Sequence, residues 1–252
     1  DVLLVGGEIL GCPRYEAAIM LLDGDAARAA IARLDRDPVA RDDWAADMLR
    51  TTRRLPYLPG RDALPAIRSL VATGIGGVDF ASLSPAARDE AVRALSGYNR
   101  IAVRDRATLA ALAAAGIDAV LAPDPAVQVV SLFGRKIAAR ACAGEPGEIR
   151  RRFPQGYVAL QFSADFGDDA TLRILAVALQ AIVSATGLGI VVFRAGLAPW
   201  HDDDDTSRRL LAMASGTDAA LFRSPDILDT AALLAGARAY AGSRDRKSTR
   251  LN

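Results

Sequence analysis

Short runs of continuously apolar residues, rich in Val, Ile and Ala, recur along this chain and are separated by longer amphipathic segments. A strand that is apolar at every position needs cover on both faces. That requirement directs the chain towards parallel sheets with helices on each side. The runs read as strands at Val2–Val5, Ser69–Thr73, Arg100–Val103, Ala119–Ala122, Tyr157–Phe162, Leu188–Phe193, Ala219–Phe222 and Arg238–Ala241. Between them, the 3.6-residue period predicts helices over Asp25–Leu34, Asp42–Arg53, Pro85–Leu95, Arg106–Ala115, Asp169–Thr186, Thr206–Ala214 and Pro225–Leu234.

Punctuation supports the helices. Ser84-Pro85 and Ser224-Pro225 each place a capping hydroxyl before a proline at the first helical position. Asp105 precedes the Arg106–Ala115 helix and Gly116 follows it, with Leu109 and Leu112 on the side expected to meet the sheet. The apolar stretch from Leu172 to Phe193 is interrupted by Arg173, Gln180, Ser184 and Thr186 and split by Gly187-Leu188-Gly189. It therefore reads as a helix followed by a buried strand, and no integral membrane segment is expected.

The chain has 252 residues, 51% hydrophobic and 24% charged, with a net charge of +1. This is enough apolar chain for one large or two smaller cores, and it excludes general disorder. A near-neutral balance argues against a nucleic-acid binder. Cys12 and Cys142 are the only cysteines and His201 is the only histidine, so neither a disulfide framework nor a Cys/His metal centre is expected. Both thiols read as buried or incidental.

The segment 127–154 breaks the strand–helix rhythm. It is basic and carries Gly144, Pro146, Gly147 and Pro154, and it reads as a linker with some helix. The expected organisation is a first Rossmann-like domain at 1–126 and a second at 155–244. The opening Asp1-Val2-Leu3-Leu4-Val5-Gly6-Gly7 reads as a strand met part-way, so the sheets are expected to be incomplete at both ends. Lysine is rare, with only Lys136 and Lys247 among 31 basic residues. The second of these falls in Asp245–Asn252, which departs from the local style and is expected to be a non-native tail.

In open α/β sheets, ligands bind outside the carboxyl ends of the strands. The residues there are Gly6, Gly7 and Glu8; Gly74, Gly76 and Gly77; Arg104 and Asp105; Pro123-Asp124-Pro125; Arg194; Arg223; and Gly242-Ser243-Arg244. Glycines allow close approach to backbone, and arginines fork around carboxylate or phosphate. Together they point to a small anionic or phosphorylated ligand in an interdomain cleft, although each arginine alone reads equally as a surface ion pair. Gly74-Ile75-Gly76-Gly77-Val78-Asp79 has Asp at the third glycine of a dinucleotide fingerprint, so it reads as turn chemistry. His201 followed by four aspartates borders the same edge. It lacks metal-ligand spacing and reads as an acidic loop before a helix.

Several of these segments together resemble the polysaccharide pyruvyl transferase family. The matching stretch is Arg100-Ile101-Ala102-Val103-Arg104-Asp105, a helix, Gly116, then Ala122-Pro123-Asp124-Pro125, together with the strand entering Gly6-Gly7 and the approach Ala239-Tyr240-Ala241-Gly242-Ser243-Arg244. The family signature continues Gly-Ser-Arg-Leu-His-Gly, whereas this chain continues Asp245-Arg246-Lys247. The resemblance implies two Rossmann-like domains of GT-B type. It also implies transfer of pyruvate from phosphoenolpyruvate onto two hydroxyls of a glycan, as in bacterial exopolysaccharide synthesis. Arg244 matches the donor-binding arginine, with Arg104 beside it as a second donor contact. Gly6, Gly7, Glu8, Asp105, Asp124, Arg194, His201 and Arg223 are the other cleft-lining candidates. No cofactor or metal beyond the donor substrate is implied, and the location would be cytoplasmic. Because the family histidine is missing, this chain is expected to be inactive as it stands. Two other classes stay open at this point: a GT-B glycosyltransferase using a nucleotide-sugar, and a non-catalytic glycan- or anion-binding module.

Overall fold

The computed structural model describes residues 1–163, 166–196 and 204–242. The first part of the chain runs β1 (Val2–Val5), α1 (Arg14–Ile19), α2 (Gly24–Leu34), α3 (Pro38–Leu49), β2 (Leu70–Ile75), α4 (Pro85–Leu95), β3 (Arg100–Val103), α5 (Arg106–Ala114) and β4 (Val120–Leu121). It continues through α6 (Val129–Arg140), α7 (Gly144–Arg152), β5 (Tyr157–Gln161), α8 (Asp169–Thr186), β6 (Gly189–Phe193), α9 (Asp204–Met213), β7 (Ala219–Leu221), α10 (Ile227–Gly236) and β8 (Ala239–Gly242). The strands form two parallel sheets, ordered β1-β2-β3-β4 and β7-β6-β5-β8. The α/β architecture expected from the apolar runs is therefore present. The chain divides into two units, Asp1–Val129 and Val130–Asn252.

The second sheet shows why β5 and β6 are so largely apolar. Val158, Leu160, Ile190 and Val192 face one core with Leu172, Ala176 and Leu179 of α8 and Leu210 of α9. Tyr157, Ala159, Val191 and Phe193 face another, with Ile149 of α7 and Leu233 of α10. Alternation along each strand supplies both cores at once, which is why apolar residues fill these positions, with the fully buried Gln161 at the end of β5 as the exception. Gly189 at the start of β6 has no room for a side chain, because a Cβ there would lie 2.0 Å from the Phe153 ring. In the first unit, Ala72, Ile75, Ile101 and Val103 pack with Leu95 of α4, Leu112 of α5 and the loop residues Leu10, Leu55 and Leu58. Leu109 packs at the margin of that core, so both leucines of α5 meet the sheet as expected.

Capping explains several boundaries. Ser84 accepts from the Ala87 amide with Pro85 at the first helical position, as the sequence predicts. Ser224-Pro225 behaves differently. Asp226 caps α10 through the Leu228 amide, while Ser224 donates to Asp229 Oδ2 at 2.7 Å, so the helix begins at Ile227. The helix expected over Asp42–Arg53 lies earlier, at Pro38–Leu49. Asp37 caps it, Pro38 opens it, and Arg50 ends it in the left-handed region at φ 49°.

Residues 127–154 hold α6 and α7, and Ile149 and Phe153 enter a core of the second unit. The short helix α1 lacked a sequence signal. It is nearly all buried, and its Arg14 donates to Asp42 Oδ1 at 2.5 Å and to the Thr52 carbonyl at 3.1 Å. The stretch from Leu172 to Phe193 is a helix, a glycine stop at φ +69° and a buried strand. By length and composition α8 is apolar enough to cross a membrane, yet its Leu172, Ala176 and Leu179 lie in the sheet core.

Of the two thiols expected to be buried or incidental, one is buried. Cys142 is exposed, while Cys12 is buried. Burial, followed by the charge and hydrogen bond of Glu16, pushes the Cys12 thiol up to about 12. The thiolate is the reactive form. At pH 8, a disulfide reagent such as dithionitrobenzoate is therefore expected to titrate one thiol in the native protein and two in guanidinium. Release of two equivalents from the native chain would contradict this burial.

Candidate functional site

The carboxyl ends of the first sheet hold most of the polar residues anticipated there. After β1, Gly6 and Gly7 adopt φ +70° and +84°, which favours glycine. The Gly6 amide donates to the Thr73 carbonyl at 2.9 Å, and Gly76 donates back to the Gly7 carbonyl at 2.8 Å. The β1 and β2 loops are thus stitched together. Gly74 lies within β2 rather than after it, at a register shift between Ala72 and Ile75. It has φ +64°, and a Cβ there would lie 2.3 Å from Pro125. Gly76 is less constrained: a Cβ there would lie 2.3 Å from Glu8 Oε1 and 2.7 Å from Glu8 Cδ, the movable end of a flexible side chain.

Arg104, at the end of β3, joins this cluster. Its Nη2 donates to Glu8 Oε1 at 2.5 Å and its Nη1 to Asp124 Oδ2 at 3.0 Å. Burial would lower the arginine's pKa, but hydrogen bonds and charges from Glu8 and Asp124 outweigh it and raise the pKa instead. The other Asp124 oxygen accepts from the Ala126 amide at 2.9 Å, capping a 3-10 turn. Pro125 opens that turn, and Asp124 serves the turn and Arg104 at once.

Asp105 is occupied differently. Its Oδ1 accepts from the Thr108 amide at 2.7 Å and its Oδ2 from the Thr108 hydroxyl at 2.8 Å. Thr108, fully buried, in turn accepts the Gly77 amide at 2.9 Å. Thr108 is absent from the residues that strand ends alone point to. Its signal is nonetheless present in the sequence, since Asp-x-x-Thr is a cap with a hydroxyl at the third helical position.

In the second unit, Arg194 follows β6 and its Nε lies 3.2 Å from Asp204 Oδ1 at the start of α9. Arg223 follows β7. The Glu145 carboxylate accepts from the Arg223 and Ser224 amides at 2.8 and 2.7 Å, fixing this turn. No local signal could have flagged Glu145, which precedes Arg223 by 78 residues. The Arg223 guanidinium is exposed and has no hydrogen-bond or ion-pair partner among the described residues. His201, Arg244 and the expected tail 245–252 lie outside the described residues. Among the described residues, no group of three or more His, Cys, Asp or Glu is placed to hold a metal ion.

The family model for polysaccharide pyruvyl transferase matches residues 68–244, more than half of the chain. The chain belongs to the polysaccharide pyruvyl transferase family. The match takes in Arg104, Asp105, Asp124, Arg194 and Arg223 of this family member, while Gly6, Gly7 and Glu8 precede it. No curated protein matches the chain. Among solved structures it is similar to a UDP-N-acetylglucosamine 2-epimerase from Rickettsia bellii. That likeness has 12% identity and a TM-score of 0.48, covering 95% of this chain and 72% of that one. It is also similar to a UDP-GlcNAc 2-epimerase from Neisseria meningitidis bound to UDP-GlcNAc, with 8% identity, a TM-score of 0.48 and coverage of 95% and 75%.

Proposed function

We propose that this chain binds phosphoenolpyruvate and, in its catalytically competent form, moves the pyruvyl group onto two hydroxyls of a glycan as a cyclic ketal. The donor's methylene carbon takes a proton as one hydroxyl oxygen bonds to the neighbouring carbon and gives up its own proton. The second hydroxyl oxygen then bonds to that carbon, and the carbon–oxygen bond to phosphate breaks. One hydroxyl proton is balanced by the new methyl group and the other by the released phosphate. No electrons are gained or lost, so the proposal includes no redox cofactor. Phosphoenolpyruvate is a cytoplasmic metabolite, which favours a cytoplasmic enzyme of bacterial glycan synthesis.

The family membership carries this reading. The open Arg223 guanidinium at the end of β7 supports it, since a donor with a carboxylate and a phosphate needs an uncommitted cation. Arg194 already has Asp204, and Arg104 has two carboxylates. For the present sequence we propose slow turnover, because Asp245 and Arg246 stand where the family signature has Leu and His.

Binding tests the donor assignment independently of turnover. In isothermal titration, phosphoenolpyruvate is expected to bind saturably and to resist displacement by uridine diphosphate. Tight uridine diphosphate binding with no phosphoenolpyruvate binding would overturn the proposal in favour of a nucleotide-sugar enzyme.

A further inference from the structure

Helix α8 is apolar on two opposite sides. Leu172, Ala176 and Leu179 enter the core of the second sheet. On the far side Ile174 is 72% exposed and Val177 66%, with Ala178, Ala181 and Ala185 exposed beside them. These residues recur at helical spacing, so they form one continuous stripe along the outer face. Asp169 and Arg173 are the only charged residues of the helix, and both lie near its start. A helix that is apolar all round is normally buried all round, and a contiguous exposed apolar face marks a contact surface. The sheet accounts for one side of α8 only.

We propose that the outer face of α8 is a dimer interface, on which α8 of a second copy of this chain packs antiparallel across a two-fold axis. The proposal is independent of the pyruvyl-transfer reading.

The face is complementary to its own reverse. An antiparallel pair centred between Leu179 and Gln180 sets Ile174 opposite Ala185 and Val177 beside Ala181. Each of these branched side chains then meets an alanine, and the alanines at the centre let the two backbones approach closely. Charge fixes the direction. The last turn of α8 carries no basic residue, so the helix itself supplies no cation to its free carbonyls and the negative end of its dipole. Arg173 is exposed and has no hydrogen-bond or ion-pair partner among the described residues. The antiparallel register brings Arg173 of each copy level with Thr186, in the last turn of the other. A parallel pair would instead set the two arginines side by side.

The test is sedimentation velocity of the full chain over a wide range of concentration. The mass is expected to rise from 26.5 kDa towards twice that value and to stop there, because an isologous contact closes at two copies. Ala181→Glu brings two like charges close to the axis and is expected to weaken dimerisation by roughly 100-fold. Ala178→Lys should weaken it as well. An equimolar mixture of the two variants is expected to associate more tightly than either alone, since the register places position 178 of one copy by position 181 of the other. Both positions are exposed, so each variant should keep its far-UV circular dichroism and thermal midpoint.

A mass that stays at the monomer value at every concentration overturns the proposal. Growth past the dimer overturns it too, as does a dimer indifferent to Ala181→Glu or a mixture no tighter than the single variants. A chain that stays monomeric but sediments with phosphatidylcholine vesicles, and loses that binding in Ala181→Glu, would replace the second copy with a lipid surface.

Discussion

Replacing Asp245, Arg246 and Lys247 with Leu, His and Gly is expected to raise ketal formation by roughly 10²–10⁴-fold, the usual contribution of a positioned acid or base. The chemistry gives the reason. The methylene carbon of an enol phosphate is a weak base, and a hydroxyl is a weak nucleophile until its proton is taken. Arginine stays protonated at any working pH, so Arg246 can neither donate nor accept a proton usefully. An imidazole in the same place can do both near neutrality. The measurement is phosphate release together with the ketal carbon signal from ¹³C-labelled phosphoenolpyruvate and a glycan panel. Equal rates before and after the replacement would refute the proposed cause of slow turnover.

The second large effect concerns Arg223. Arg223→Ala is expected to weaken phosphoenolpyruvate binding by about 10- to 100-fold, the cost of losing a charge-assisted hydrogen bond of about 1.5–3 kcal/mol. Arg223→Lys should recover only part of the loss, since an ammonium cannot fork around a carboxylate or phosphate. The variant should fold normally. The side chain is exposed, and the turn is held through its backbone amide by Glu145. Arg194→Ala serves as the contrast, because that guanidinium already lies against Asp204 and should cost the donor less. A dissociation constant unchanged by Arg223→Ala would remove Arg223 from the donor site.

The fold was legible where burial dictates residue type. β5 and β6 are almost wholly apolar, and Asp168 and Gly187 bracket α8 with unambiguous caps, so the strand–helix alternation could be read directly. Boundaries were less legible where two caps compete. At 224–229, three neighbouring oxygens can each cap or brace the turn, and only the geometry shows that Asp226 caps while Ser224 turns back to Asp229. The short α1 is held by distant partners such as Asp42 and Thr52, which no local period reveals.

The site divides along the same line. Strand order explains why Gly6, Glu8, Arg104 and Asp124 could be placed at one edge from sequence. Whether an arginine there is open or paired depends on residues far away in the chain. Glu8 and Arg104 are 96 positions apart, and no local pattern reveals that pairing.

The chain of bonds from the Gly77 amide through the Thr108 hydroxyl to Asp105 has a mechanical meaning. Asp105 also caps α5 through the Thr108 amide, so the loop after β2 and the first turn of that helix share one fastening. Thr108 is sealed from solvent, and water cannot substitute for either partner without the helix end fraying. The loop therefore does not open as a lid on its own. It moves with the end of α5 as one cooperative unit, and the floor beneath Glu8 stays as rigid as the helix that carries it.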